Sequence, residues 1–66
     1  MRLVVNGRET DVADGLSVPV LLDSLGLSVG SVVVEHNGTA LLRGELAGTG
    51  LADGDRLELV RAVAGG

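Results

Sequence analysis

Sixty-six residues, a formal net charge of −4, no Cys, no Phe, Trp or Tyr and one His bound what this chain can be. A chain of this length forms one small domain that buries only about 60% of the surface its unfolded form exposes, so Leu, Val and Ala must fill a thin core without disulfides or cysteine-based metal sites. Thiol chemistry, iron–sulfur ligation and aromatic stacking are excluded, and without a basic run there is no electrostatic footprint for nucleic acid or an anionic membrane.

Met1, Leu3 and Val5 alternate with Arg2, Val4 and Asn6, the pattern of a strand with one face on a core. No charged leader, export signal or membrane-length apolar run precedes or interrupts it, and the expected location is the cytoplasm. Asn6-Gly7 is a strong hairpin signal because both residues tolerate the positive φ of a type I′ turn, so Arg8 to Val12 should return antiparallel as a polar edge strand. Ser17 then suits an N-cap and Pro19 the first turn of a helix. Val18, Leu21, Leu22 and Leu25 fall on one apolar stripe, and Gly26 supplies a left-handed stop with Leu27 folding back.

A Ser/Gly connection from Ser28 to Ser31 leads to the β-favouring run Val32 to His36, closed by a second tight turn at Asn37-Gly38. Thr39 to Leu42 pairs back briefly, and the glycine-rich stretch Arg43 to Gly50 allows one helical turn near Glu45-Leu46. Asp53-Gly54-Asp55 is another turn, and Arg56 to Val63 forms the last strand, with Leu57 and Leu59 alternating against Arg56 and Glu58. A hairpin, one helix, and a last strand that returns parallel to the first give an α+β fold of β-grasp type, a mixed sheet of four to five strands wrapped over one helix. The expectation is a single domain over residues 1–66, with 62–66 a mobile tail that reaches roughly 15 Å when extended.

That tail carries the candidate chemistry. In Ala64-Gly65-Gly66 two glycines give a backbone strip without side chains, thin enough to thread a partner's channel and deliver a terminal carboxylate. The Gly66 carboxylate is ionised at neutral pH and a poor electrophile, so an ATP-dependent partner must activate it. The five basic residues are all Arg, leaving no lysine for self-conjugation. One helix covers only one sheet face, so Val4, Val33, Val60 and Ala62 on the other face are a candidate docking surface, with Val4, Val60 and Ala62 beside the tail singled out. His36 is taken as a strand-end surface residue without a role, and Asp53 and Asp55 as exposed turn carboxylates rather than ligands, because the rest of a calcium loop is absent. Gly44, Gly48 and Gly50 do not make a phosphate loop, since no Lys follows them. No metal site is assigned.

Several segments in order match one family. Val-Asn-Gly at Val5 to Gly7, Gly-Leu-Ser-Val-Pro-Val-Leu-Leu at Gly15 to Leu22, Val-Glu-His-Asn-Gly at Val34 to Gly38, Arg43, Asp-Gly-Asp-Arg-Leu-Glu-Leu-Val at Asp53 to Val60 and the terminal Ala-Gly-Gly resemble the sulfur carrier proteins of thiamine biosynthesis, the ThiS type of ubiquitin-like proteins. The likeness spans nearly the whole chain. It departs at Leu42 and Leu46, where the family usually has Pro and an aromatic, and at His36, usually apolar.

The resemblance implies a carrier rather than an enzyme. An adenylating enzyme related to ubiquitin-activating enzymes would use Mg and ATP to form an acyl-adenylate at Gly66. Sulfur from a donor such as a cysteine desulfurase would displace AMP, and the resulting thiocarboxylate would supply thiazole synthase. The chain itself would bind no cofactor. Alternatives are the small subunit of molybdopterin synthase, a carrier for cysteine synthesis, a ubiquitin-like modifier attached through Gly66, and an interaction module with an idle tail. Ladders of covalent adducts on a denaturing gel would mark the modifier.

Overall fold

A computed structural model describes residues 1–62. Strand β1 (Arg2–Val5) turns at Asn6-Gly7 into β2 (Arg8–Asp11), and β3 (Val32–His36) turns at Asn37-Gly38 into β4 (Thr39–Leu41). Both dipeptides hold positive φ, 50° and 79° in the first and 49° and 86° in the second, as a type I′ turn requires. Each asparagine also serves the last strand, β5 (Arg56–Arg61). Asn6 Oδ1 accepts from the Leu59 N–H at 2.7 Å, and Asn37 Oδ1 accepts from the Arg56 N–H at 2.8 Å. Because β1 stops at Val5 while β5 runs on, the Asn6 side chain stands in for the next ladder residue.

The sheet order is β2-β1-β5-β3-β4, with β1 and β5 parallel and the other pairs antiparallel. This is the expected β-grasp topology, with β5 at the centre and the polar β2 at one edge. Helix α1 (Val18–Ser24) begins at Ser17, whose Oγ accepts from the Val20 N–H at 3.4 Å. It ends in a left-handed Gly26 at φ 74°. There the Leu27 N–H donates to Leu22 C=O at 2.8 Å and the Gly26 N–H to Asp23 C=O at 3.0 Å, the paired bonds of a Schellman stop.

Val18, Leu21 and Leu22 bury the helix stripe against Leu3 and Val5 of β1, Val32 and Val34 of β3, and Leu57 of β5. Leu25 departs from the expected stripe and is 48% exposed, because the helix has ended and its cap geometry (φ −93°, ψ 3°) turns it off that face. The connection Val29–Ser31 is a 3₁₀ turn, as is Arg43–Glu45 in the glycine-rich stretch. The second turn delivers Leu46 into the core. It is fastened by the Glu45 carboxylate accepting from the Leu42 N–H at 2.7 Å and the Glu45 N–H donating to Leu42 C=O at 2.9 Å. Of the expected mobile segment 62–66, only Ala62 falls within the described residues.

Candidate functional site

Ala64, Gly65 and Gly66 lie outside the described residues, so the described part of the site is the strand that leads to them and the surfaces around its end. That strand is anchored on both sides. β1 pairs with the first half of β5, β3 pairs along it from Leu57 to Arg61, and the Ala62 N–H donates to Ser31 C=O at 2.9 Å. The chain is therefore fixed in the sheet up to Ala62.

Alternation along β5 turns Leu57 and Leu59 toward the helix and Arg56, Glu58 and Val60 outward. Val60, 56% exposed, sits directly opposite Val33, 46% exposed, and Ala62 occupies the next outward position. These three form an uncovered apolar patch at the end of β5. Val4 does not join it. Its register partner is Arg56, four residues before Val60 and so about 13 Å along the strand, and Val4 is only half exposed beside Glu9 of β2. Glu58 and Glu35, directly opposed on the same face, separate Val4 from the patch.

Sequence reasoning missed a groove next to this patch. It has a volume of about 310 Å³, lies along β3 on the β4 side, and its lining includes Val29, Val32, Leu42, Arg43, Leu46 and Ala62. Leu42 is 72% exposed there, although it precedes the turn that buries Leu46. The signal in the sequence was the brevity of the pairing after Asn37-Gly38. β4 ends at Leu41 and leaves the start of β3 without a neighbour on that side among the described residues.

His36 and Asp55 are less exposed than the sequence suggested, at 20% and 16% of their side-chain surface. His36 Nε2 and Asp55 Oδ2 are 2.8 Å apart, and the Asp55 carboxylate also accepts from the Ala52 N–H at 2.9 Å and from Asn37 Nδ2 at 3.2 Å. The hydrogen bond from His36, followed by that from Ala52, holds the Asp55 carboxyl below the usual carboxylate range. This cluster ties the turn before β5 to the β3–β4 hairpin. Since His36 is in register with Leu57, it lies at the opposite end of β5 from Ala62 and serves the scaffold rather than the tail.

The family model of the ThiS family matches residues 2–66, a span that includes both terminal glycines. The chain belongs to the ThiS family. Two solved structures show the same fold in a thiamine biosynthesis protein of Geobacter metallireducens. The crystal structure, of a protein named ThiS, is 38% identical with a TM-score of 0.85 and full coverage of both chains. The solution NMR structure is 36% identical with a TM-score of 0.77, covering all of this chain and 88% of the other. A thiazole synthase of Paramagnetospirillum magneticum is 36% identical over 66 residues, which are the whole of this chain but only 20% of that protein's length. The ThiS-family core is thus built here without an aromatic residue, and Leu46, 3% exposed, is part of it.

Proposed function

We propose that this ThiS-family protein is a sulfur carrier for thiazole formation in thiamine biosynthesis, with the Gly66 carboxylate as the carrying group. One observation supports the reading above the others: the family match runs through a β-grasp body and on through the two terminal glycines. In the reaction, a carboxylate oxygen of Gly66 attacks the α-phosphorus of ATP on an E1-like adenylating enzyme and pyrophosphate leaves. A persulfide supplied by a donor such as a cysteine desulfurase then attacks the acyl carbon and expels AMP, giving an acyl disulfide. A second thiol attacks the donor's sulfur in that S–S bond, so that the thiol ends in a disulfide with the donor and the thiocarboxylate leaves. Its sulfur is soft, exposed and nucleophilic, suited to transfer to thiazole synthase. Activation is required because an ionised carboxylate resists substitution.

The carrier is a cosubstrate in this scheme, and ATP and Mg belong to the adenylating enzyme. Ala64 and Gly65 thread the partner's channel, and the patch of Val60, Ala62 and Val33 rests on its surface. The thiazole synthase relative supports the choice of acceptor: a region similar to this chain shares one polypeptide with that enzyme, an arrangement that raises the effective concentration of carrier at acceptor. Intact-mass analysis of the protein from its native host tests the proposal. The expected result is a species in which one oxygen is replaced by sulfur, mapped to Gly66. A single unmodified mass under thiamine starvation, with the adenylating enzyme present, would refute it.

A further inference from the structure

Among the described residues, the start of β3 has an unused pairing edge. In the β3–β4 hairpin, His36 pairs with Thr39 across the Asn37-Gly38 turn, and Ser31 C=O accepts from Ala62 on the β5 side. Alternation between these two fixed points directs the N–H and C=O of Val32 toward the β4 side. The residue that would face Val32 there is Arg43, but the chain has already left the sheet for the 3₁₀ turn Arg43–Glu45. Neither the N–H nor the C=O of Val32 takes a partner among the described residues.

Two further features lie on the same spot. The apolar groove of about 310 Å³ opens beside this edge. Over it, the Arg43 guanidinium stretches across Gly30, where an ideal Cβ would stand 2.7 Å from Arg43 Nη2. Among the described residues the three salt bridges are Met1–Asp14, Arg2–Asp11 and His36–Asp55, so Arg43 pairs with no carboxylate there. A free donor–acceptor pair, an aliphatic groove and an unpaired fork of guanidinium donors are the three parts of a β-augmentation site for an extended acidic segment.

We propose that this edge is a strand-docking site for the adenylating partner: an extended segment of that enzyme pairs with Val32, places an aliphatic side chain in the groove and sets a carboxylate on Arg43. Ala62 lines the same groove, so a partner that takes hold of the chain beyond β5 closes over this edge as it does so. A chain whose net charge is −4 repels an acidic segment overall; Arg8, Arg43, Arg56 and Arg61 all lack a carboxylate partner among the described residues, and of these Arg43 is the one that lines the groove. The inference rests on the functional reading above, because it takes the adenylating enzyme as the occupant.

The test uses the full isotope-labelled protein with the adenylating enzyme of the same organism. In the free protein the Val32 amide should exchange quickly with solvent, while that of Val34, paired with Leu41, should be protected. In the complex, exchange at Val32 should slow by about tenfold or more. Arg43→Ala should raise Kd by about tenfold or more without altering thermal stability. Gly30→Ala should raise it less, since the new methyl displaces only the end of a flexible side chain.

A Val32 amide still open in the complex, or an Arg43→Ala variant that binds unchanged, overturns the proposal. Protection of Val32 in the free protein also overturns it, assigning the edge to a second copy if it grows with concentration and to this chain's own last residues if it does not. ATP–pyrophosphate exchange with the unaltered protein separates the two levels. Exchange with an open Val32 refutes the docking site alone, whereas no exchange and no binding refute the functional reading as well.

Discussion

Asn37 holds three parts of the fold at once: its φ of 49° shapes the turn, its Oδ1 accepts from Arg56, and its Nδ2 donates to Asp55. Two substitutions separate these roles. Asn37→Gly keeps the backbone conformation and loses the side-chain bonds, which should cost about 0.5–1.5 kcal/mol. Asn37→Ala adds the left-handed penalty of about 1–2 kcal/mol, and urea unfolding should rank it the less stable of the two. Asp55 makes a prediction about pH. Its carboxyl is held below the usual range, so its contribution to stability is complete above the ordinary carboxylate value of about 3.9 and is lost as pH falls through the lower folded value. Asp55→Asn should therefore weaken the acid-side loss of stability between about pH 5 and 2, as read from unfolding free energies across that range. An unchanged acid limb would show that Asp55 takes no part in it.

At the scale of elements, the parts legible in the sequence were those set by neighbouring residues. Asn6-Gly7 and Asn37-Gly38 fixed two hairpins, Ser17 and Pro19 opened the helix, and Gly26 closed it. Gly26→Ala should cost about 1–2 kcal/mol, because alanine resists φ 74° even though open space surrounds the site. Circular dichroism through a thermal melt would detect that loss. What stayed hidden was set by distant partners. Nothing local to Asp55 points to His36, 19 residues away. Leu25 continues the 3.6-residue stripe in the sequence, and only the position of the helix end removes it from the core. Leu46 lies in a stretch with no periodicity to read, yet it is among the least exposed side chains. The groove was invisible for the same reason, being assembled from the 3₁₀ turn before β3, the exit from β4 and the end of β5. The docking residues divided along that line: alternation correctly turned Val60 and Ala62 outward, but only the register of β1 against β5 shows that Val4 stands apart.

At the scale of the whole molecule, the proposed function asks a scaffold with little stability to spare to carry a reacting group at Gly66, beyond its last described strand. At roughly 0.05–0.15 kcal/mol per residue, a domain of this size holds about 3–10 kcal/mol. Among the described residues its buried core is Leu and Val alone, with Leu57 of the central strand completely buried. Leu57→Ala should cost about 2–5 kcal/mol and leave a large unfolded fraction at 37 °C. Gly65→Val should do the reverse. The core cluster among the described residues runs from Leu3 to Leu57, and β5 is already anchored on both sides before the chain passes Ala62. The core and the pairing of β5 are thus complete among the described residues without residue 65, so the substitution is expected to leave the fold intact, while in an enzyme channel it widens a strip that glycine keeps bare. The expected outcome is an unchanged melting temperature together with pyrophosphate exchange reduced by more than about tenfold, as a barrier increase of 1.4 kcal/mol or more would give. Exchange at the unaltered rate would mean that the channel tolerates a branched side chain, and the steric reason for glycine at this position would fall.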